Sequence, residues 1–234
     1  KLYSVLPADG VGDFTFSRNS AATRINKDGL IETVAVGKSR LNYPLIDGVV
    51  NGCPSHLLEP ERLQKIQYSE DFSNAAWIKG GLTVNANQAI SPDGTLNADL
   101  IQVTVNSGNI YDNVSGSGDG SFSVFAKYID IKYIRLRSTG SYAYFDIENG
   151  TVGNTLNVLD TKIENYGNGW YRCTVIGNNT NSLVQVFASN TDVGQPTGLG
   201  SVYIFGAQIE QGSYPTSYIP NYGTSAGITR VAET

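Results

Sequence analysis

Few side chains in this chain have the types and spacing that catalysis needs. His56 is the single histidine, and the segment around it lacks the Gly-x-Ser-x-Gly turn that carries a nucleophilic serine. Asp146 and Glu148 could form a glycosidase pair, but they share one strand and lack the three-acid pattern typical of jelly-roll glucanases. The glycine-rich segment 116–120 has no phosphate-binding lysine, which favours a hairpin turn. The sequence therefore predicts a protein that is not an enzyme.

A second group of side chains is suited to sugar binding. Aromatic rings stack on the flat C–H faces of sugars, and an arginine fork binds hydroxyls or carboxylates. Tyrosine and arginine occupy alternate positions along segment 132–138, and further tyrosines occur in the next predicted strand. Neighbouring strands are expected to add polar contacts. The predicted carbohydrate-binding residues are Tyr133, Arg135, Arg137, Tyr142, Tyr144, Gln185 and Lys127. The alternative is cross-strand pairing on an ordinary sheet surface.

A calcium site is the third chemistry that the sequence allows. Glu70 and Asp71 open the second region of the chain, and Gln208 and Glu210 lie on its last long strand. First and last strands are commonly neighbours in a jelly roll, so these oxygens could share a structural calcium ion. The alternative is that they are solvated polar residues. No cofactor is required by any motif.

Charge and cysteine content narrow the classes of partner. The net charge is −5 and no basic run occurs, which argues against a nucleic-acid partner. The longest apolar stretches are far too short to span a bilayer. Cys53 and Cys173 are too few for a disulfide scaffold and cannot form a zinc cluster, so we expect two buried free thiols, with a disulfide as the alternative.

The elements that position these residues are predicted to be strands. Glycine, asparagine and tyrosine are frequent, which is typical of short strands joined by tight turns. Apolar and polar residues alternate in segments 121–129, 132–138, 141–152, 168–177, 182–189 and 200–211. This pattern predicts an all-β fold, an antiparallel β-sandwich of the jelly-roll type. Segment 59–72 is the one plausible short helix.

The chain divides into two regions. Residues 1–62 carry a two-residue hairpin signal at Asp28-Gly29 and further turn signals at Asp47-Gly48 and Asn51-Gly52. They predict an N-terminal hairpin and extended assembly segment. Residues 63–234 are predicted to form the sandwich. The last strand is apolar on both faces from Val202 to Phe205, so the N-terminal hairpins or another subunit should cover it.

Two aromatic features are assigned to structure rather than to ligand binding. Trp170 begins a strand and is expected to cap a core. Residues 205–224 contain Tyr214 and Tyr218, each followed within two residues by a proline that ends strand pairing. We expect this stretch to be the closing strand and an arm that lies on the sandwich.

Several segments together resemble a family of tailed-phage virion proteins, often from marine viruses. They are "GDFTFSRNSAATRINKDGLIE", "RLNYPLIDGVVNGCPSHLLEPER", "YSEDFSNAAW", "SPDGTLNADL", "NGWYRCTV" and "FGAQIEQGSYPTSYIP". The resemblance covers nearly the whole chain, with the motifs in order. It implies a tail-fibre or other virion-surface protein with a lectin-like, carbohydrate-binding-module-like jelly roll, and a chain that begins upstream of Lys1. Where relatives commonly have Thr-Asn, this chain has Leu63-Gln64, and no ligand motif carries over.

The leading hypothesis is a non-enzymatic phage virion surface protein, a tail-fibre or capsid-decoration protein, that adheres to host-surface or environmental glycans. The partners expected are a polysaccharide, other virion proteins and copies of the same chain, with a trimer implied by the resemblance. The expected location is the particle surface, after assembly in the host cytoplasm. The alternatives are a purely structural fibre or decoration subunit and an accessory carbohydrate-binding module of a polysaccharide-degrading enzyme.

Overall fold

The computed structural model describes residues 16–114, 118–177 and 183–234. Segment 116–120 therefore lies partly outside the described residues. Within the described ranges the chain contains strands and no helix. The strands are β1 (Ala22–Ile25), β2 (Ile31–Val34), β3 (Leu41–Asn42), β4 (Leu45–Ile46), β5 (Val49–Val50), β6 (Ser55–His56), β7 (Arg62–Gln64), β8 (Ile78–Gly80), β9 (Leu82–Ile90), β10 (Leu96–Val103), β11 (Asn109–Asp112), β12 (Gly120–Tyr128), β13 (Tyr133–Ser138), β14 (Ser141–Asp146), β15 (Thr151–Leu156), β16 (Val158–Asn165), β17 (Trp170–Gly177), β18 (Val184–Ser189), β19 (Gly200–Gln211) and β20 (Ile228–Arg230).

Two six-stranded antiparallel sheets pack face to face as a sandwich of the jelly-roll type, as the sequence predicted. The first sheet has the strand order β16-β17-β12-β19-β10-β9, and the second has the order β15-β14-β13-β18-β11-β8. The main core lies between the sheets. It is built from inward-facing residues such as Phe122 and Val124 of the first sheet and Ile134 and Phe145 of the second, all 0% exposed.

The N-terminal region forms small two-stranded sheets. β1 pairs with β2 in a hairpin, but its loop is longer than the predicted two-residue turn, because Asn26 and Leu30 bond to each other across a three-residue loop. Gly29 takes the left-handed conformation that such a loop requires (φ 79°). The predicted turn at Asp47-Gly48 joins β4 and β5 in a two-residue hairpin, in which both residues have positive φ (50° and 79°).

A second, smaller core covers the outer face of the first sheet. Phe125, Trp170 and Phe205 project outward from this sheet, and Ile31 of β2 and Tyr218 of the C-terminal arm pack on them. Each of these side chains is at most 8% exposed. The two ends of the chain therefore cover the last long strand, which confirms the structural assignment of Trp170 and of the arm.

Buried charges join the two ends of the chain. Glu233 accepts a hydrogen bond from Arg18 Nη1 at 2.7 Å and pairs with Arg40 Nη2 at 2.5 Å. Glu59 pairs with Arg40 at 2.9 Å and with Arg230 at 2.8 Å. The three arginine side chains and Glu233 are 0% exposed. This five-residue group, called the terminal ion cluster below, ties the N-terminal region to the last residues.

The structure corrects two expectations about local structure. The predicted helix over residues 59–72 is wrong, because part of that segment forms β7 and pairs with β20. Cys53 and Cys173 are free thiols, so the disulfide alternative is wrong; Cys173 is buried as expected, but Cys53 is exposed. The described residues contain no helix long and apolar enough to cross a membrane.

Candidate functional site

The predicted sugar-binding residues lie mainly on the outer face of the second sheet. In the strand register, Arg135 stands opposite Tyr144 on one side and beside β18 on the other. Arg137 stands opposite Tyr142 and Gln185. Because side chains alternate between the faces of a strand, these five residues share one face. The structure therefore brings them together as the sequence predicted.

Arg135 is buried rather than exposed. Its guanidinium carbon lies 4.0 Å from the ring centroid of Phe187, 5.1 Å from that of Tyr142 and 5.6 Å from that of Tyr144. The residue is 4% exposed, and burial lowers its pKa from the ordinary arginine value. Its Nε is buried and has no hydrogen-bond partner within the described structure. The expectation of an exposed contact residue is wrong, because the aromatic rings enclose the guanidinium and hold it by cation–π contact.

Tyr144 is also buried, at 0% exposed. Its hydroxyl donates to the carbonyl oxygen of Gly194 at 3.0 Å, so the loop after β18 lies against it. Arg135 Nη1 donates to the same hydroxyl at 3.4 Å. The predicted stacking of a sugar on Tyr144 is therefore wrong, and the residue supports Arg135 and the covering loop instead.

An accessible row of side chains runs across four strands of this face. Arg137 Nη1 donates to Gln185 Oε1 at 3.1 Å, and Gln185 Nε2 donates to Asn109 Oδ1 at 3.4 Å. Tyr111 stands opposite Gln185 on β11, and Tyr142 stands opposite Arg137 on β14. Both tyrosines and Arg137 are half-buried, and Gln185 is 9% exposed. We call Tyr111, Gln185, Arg137 and Tyr142 the polar row.

Asn109, Tyr111 and Phe187 also lie on this face and were not among the predicted site residues. A signal for them was present, because residues two positions apart on a strand share a face. Asn109 and Tyr111 are related in this way on β11, and so are Gln185 and Phe187 on β18. The pairing of β11 with β18 joins positions more than seventy residues apart and brings them beside the arginines. Local alternation alone does not identify that pairing.

Two predicted contact residues are placed differently. Lys127 belongs to β12 of the first sheet, and its side chain packs near Gly169. The predicted contribution of Lys127 to the site is therefore wrong, since β12 and β13 lie in different sheets of the sandwich. Tyr133 is on the correct face but beyond the polar row, where it stands opposite Asp146 and has Lys132 Nζ 5.5 Å from its ring centroid.

The residues first considered for catalysis have structural contacts. Asp146 Oδ1 accepts hydrogen bonds from the backbone N–H groups of Glu148 at 3.1 Å and Asn149 at 3.0 Å. Lys132 pairs with Asp146 at 3.2 Å and with Glu148 at 3.6 Å. His56 lies in β6, which pairs with β3. Asp146 thus stabilises the turn between β14 and β15.

The first two predicted calcium ligands lie in a loop rather than in a strand. Glu70 Oε1 accepts hydrogen bonds from the hydroxyl of Tyr218 at 3.1 Å and from that of Tyr222 at 3.2 Å. Asp71 caps the turn that follows it, where it accepts a hydrogen bond from Ser73 Oγ at 2.6 Å. Both carboxylates therefore have partners of their own.

The other two predicted calcium ligands are bonded to each other. Gln208 Nε2 donates to Glu210 Oε1 at 2.7 Å, and Gln208 Oε1 accepts from the backbone of Ile219 at 2.6 Å. Glu210 also accepts from the backbone of Thr216 at 2.8 Å. Within the described ranges no three His, Cys, Asp or Glu side chains lie close enough to hold a metal ion. Glu70 and Glu210 therefore each bind the arm through different residues, while Asp71 caps its own turn.

Comparisons with known proteins give weak likenesses. No protein-family model and no curated protein matches the chain. One similar solved structure is the CBM22-1–GH10 modules of the N-terminal endo-1,4-β-D-xylanase 10B of Clostridium thermocellum complexed with xylohexaose, at 14% identity over 70% of this chain and 30% of that chain, with a TM-score of 0.39. Another is the enzymatically active domain of tailspike protein 4 of bacteriophage CBA120, at 13% identity over 62% of this chain and 21% of that chain, with a TM-score of 0.37. Both likenesses are too distant to support an argument about function.

Proposed function

We propose that this chain is a carbohydrate-binding surface protein of a phage virion, which adheres to glycans and catalyses no reaction. The observation that carries the binding function is the polar row on the outer face of the second sheet. It combines two half-buried tyrosine rings with an arginine and an amide that are already hydrogen-bonded to each other. A row that is ordered before binding loses little side-chain entropy when a ligand arrives.

The charge of this face favours an acidic glycan. Among the described residues, neither Arg135 nor Arg137 forms an ion pair with a carboxylate, although the protein as a whole carries a net charge of −5. An arginine fork binds a carboxylate or sulfate through paired, charge-assisted hydrogen bonds. Arg137 makes this contact directly, while Arg135 lies beneath the row and adds positive charge. Tyr111 and Tyr142 stack on the sugar rings at either end.

The virion assignment is supported by the order of the phage-like motifs along the chain. The N-terminal region and the C-terminal arm, whose motifs are part of that resemblance, would contact other virion proteins. The protein then assembles in the host cytoplasm and is displayed on the particle as a homo-oligomer, with a trimer favoured. Sedimentation equilibrium tests the oligomer directly: a monomer at all concentrations contradicts this part of the proposal.

Retention on polysaccharides tests the binding function. The wild-type protein is screened on a glycan array and on affinity gels that contain uronate-bearing, sulfated or neutral polysaccharides. We expect retention on an acidic polysaccharide and a loss of about 10- to 150-fold in affinity for Arg137→Ala, since a hydrogen bond to a charged group contributes about 1.5–3 kcal/mol. Tyr142→Ala should weaken binding about tenfold through the lost stacking.

Lys127→Ala is the matched control, because it removes a positive charge from the first sheet. It should bind as the wild type does. No retention on any polysaccharide, or equal losses for Lys127→Ala and Arg137→Ala, would overturn the assignment. A stable oligomer that binds no glycan and protects the polar row from solvent would favour the purely structural alternative.

A further inference from the structure

A cavity lies where the C-terminal arm crosses the loop before β8, and its volume is ≈ 310 Å³. That is the small end of the range of roughly 300–1,000 Å³ that small-molecule sites occupy. The residues that line it are Tyr68, Glu70, Asp71, Asn87, Asn97, Asn221 and Tyr222. A tyrosine, amide and carboxyl lining of this size suits a single small polar ligand.

Glu70 is the central group of this cavity. One of its oxygens accepts the hydroxyls of Tyr218 and Tyr222, and the other accepts Asn97 Nδ2 at 3.2 Å. Burial is the main cause that raises the pKa of Glu70, to about 7, and the charge of Asp93 adds to it. Near neutral pH the carboxyl is therefore partly protonated, so that it can donate a hydrogen bond as well as accept one.

Asn97 presents an unused acceptor in the same place. Its Nδ2 group donates to Glu70 and, at 3.0 Å, to Asp93 Oδ2. Its Oδ1 atom is buried and has no hydrogen-bond partner among the described residues. A buried acceptor without a donor is unfavourable, and a ligand hydroxyl that reached Oδ1 would supply that donor.

Tyr222 offers the ligand a flat apolar surface. The residue is 73% exposed, yet its hydroxyl is fixed to Glu70 and its backbone forms a bridge to Tyr68. Gly223 has a φ of 118° and its Cα lies so close to the Tyr68 ring that a Cβ would be 3.0 Å from it. The arm is thereby held against Tyr68, and the exposed ring is oriented before any ligand binds.

From these contacts we infer that the cavity is a second carbohydrate site, which binds one neutral sugar residue through its hydroxyls and stacks it on Tyr222. No lysine or arginine lines the cavity, and its carboxyl groups are those of Glu70 and Asp71, with Asp93 beside them. A carboxylate or sulfate would be repelled there, in contrast to the polar row with its arginines. The two sites therefore select sugar units of different charge.

Nuclear magnetic resonance of the ¹⁵N-labelled full chain tests this site. The probes are the methyl glycosides of glucose, galactose and mannose, with methyl glucuronide as the charged counterpart. We expect at least one neutral glycoside to shift the side-chain amide signals of Asn97, Asn87 and Asn221, and methyl glucuronide to shift none of them. Tyr222→Ala should weaken the neutral glycoside about tenfold, the equivalent of a lost stacking contact.

Two controls separate this site from the polar row. Tyr214→Ala removes another exposed tyrosine of the same arm, which is 48% exposed and stacks on Arg62 outside the cavity, and it should bind as the wild type does. Arg137→Ala should reduce binding of acidic polysaccharides and leave the neutral glycoside unchanged. The inference is overturned if no neutral glycoside shifts the three amides, if methyl glucuronide shifts them equally, or if Tyr222→Ala binds normally.

Discussion

Replacement of Glu233 by glutamine should destabilise the protein strongly. Its two carboxylate oxygens accept hydrogen bonds from Arg18 Nη1 at 2.7 Å, Arg40 Nε at 2.6 Å, Arg40 Nη2 at 2.5 Å and the Glu59 backbone at 2.9 Å. The terminal ion cluster contains three arginines and two glutamates, so Glu233→Gln raises its net charge from +1 to +2. It also places an amide N–H₂ group among arginine donors.

The magnitude follows from the burial of the cluster. Removal of one partner from a buried ion pair costs about 3–5 kcal/mol, because it leaves a buried charge without compensation. For a chain of 150–250 residues each kcal/mol lowers the melting temperature by roughly 2–4 °C, so we expect a fall of about 6–20 °C. Circular dichroism and calorimetry at pH 7 measure it.

The effect should depend on pH with a defined sign. Burial alone would raise the pKa of Glu233, but the hydrogen bonds from Arg40 and Arg18 outweigh it and lower the pKa below its ordinary value. A lowered folded-state pKa stabilises the protein above the unfolded-state value of about 4.3, and this stabilisation is lost as the pH falls through the folded-state value. The difference between wild type and Glu233→Gln should thus be full at pH 7 and shrink in acid.

Glu32→Gln is the matched control for this prediction. Glu32 pairs with Arg24 at 2.8 Å in the same N-terminal region, but the two side chains are 43% and 26% exposed. A pair as accessible as this contributes about 0–1 kcal/mol. Two results would contradict the stabilising role of the terminal ion cluster. One is a fall in melting temperature for Glu233→Gln no larger than that for Glu32→Gln, and the other is a destabilisation that does not shrink in acid.

Two further predictions concern the first sheet and the cysteines. Gly206→Ala should lower the free energy of unfolding, measured by denaturant titration, by about 2–5 kcal/mol. Gly206 has a φ of 61°, and a Cβ there would lie 2.9 Å from Phe125 and 3.2 Å from Tyr218. An unfolding midpoint equal to that of the wild type would show that the bulge tolerates a side chain. A thiol reagent should label Cys53 alone in the native protein and both cysteines after unfolding, because Cys173 is buried and burial raises its pKa; fast native labelling of both thiols would contradict the packing.

The strands could be predicted from the sequence because their core-facing apolar residues occupy every second position. In β12, Phe122, Val124 and Ala126 point into the main core, and each is 0% exposed. In β19 the inward residues Val202 and Ile204 are followed by a shift of phase at Gly206. A glycine inside a strand is typical of a bulge, and the pairing register of β12 with β19 shifts at this position.

The failed predictions share a physical cause, since each depended on a partner that is distant in the sequence. The segment that contains Arg62 has residues compatible with a helix, but it pairs with β20, more than 160 residues later. Lys127 and Arg135 are eight positions apart, yet the chain crosses from one sheet to the other between them. The burial of Arg135 depends on Phe187, which lies on β18. No local sequence pattern indicates that β18 pairs with β13.

The same long-range contacts explain why the proposed ligand surface lies on the second sheet. A sandwich has two outer faces, and here Ile31 and Tyr218 from the two ends of the chain pack on Phe125 and Phe205 of the first sheet. Those ends are held by charges that are buried at the chain termini. The outer face of the second sheet instead carries the polar row, in which Arg137 donates to Gln185 and both Arg137 and Tyr142 are half-buried. Loss of the terminal ion cluster should therefore expose apolar surface on the first sheet while it leaves the polar row in place.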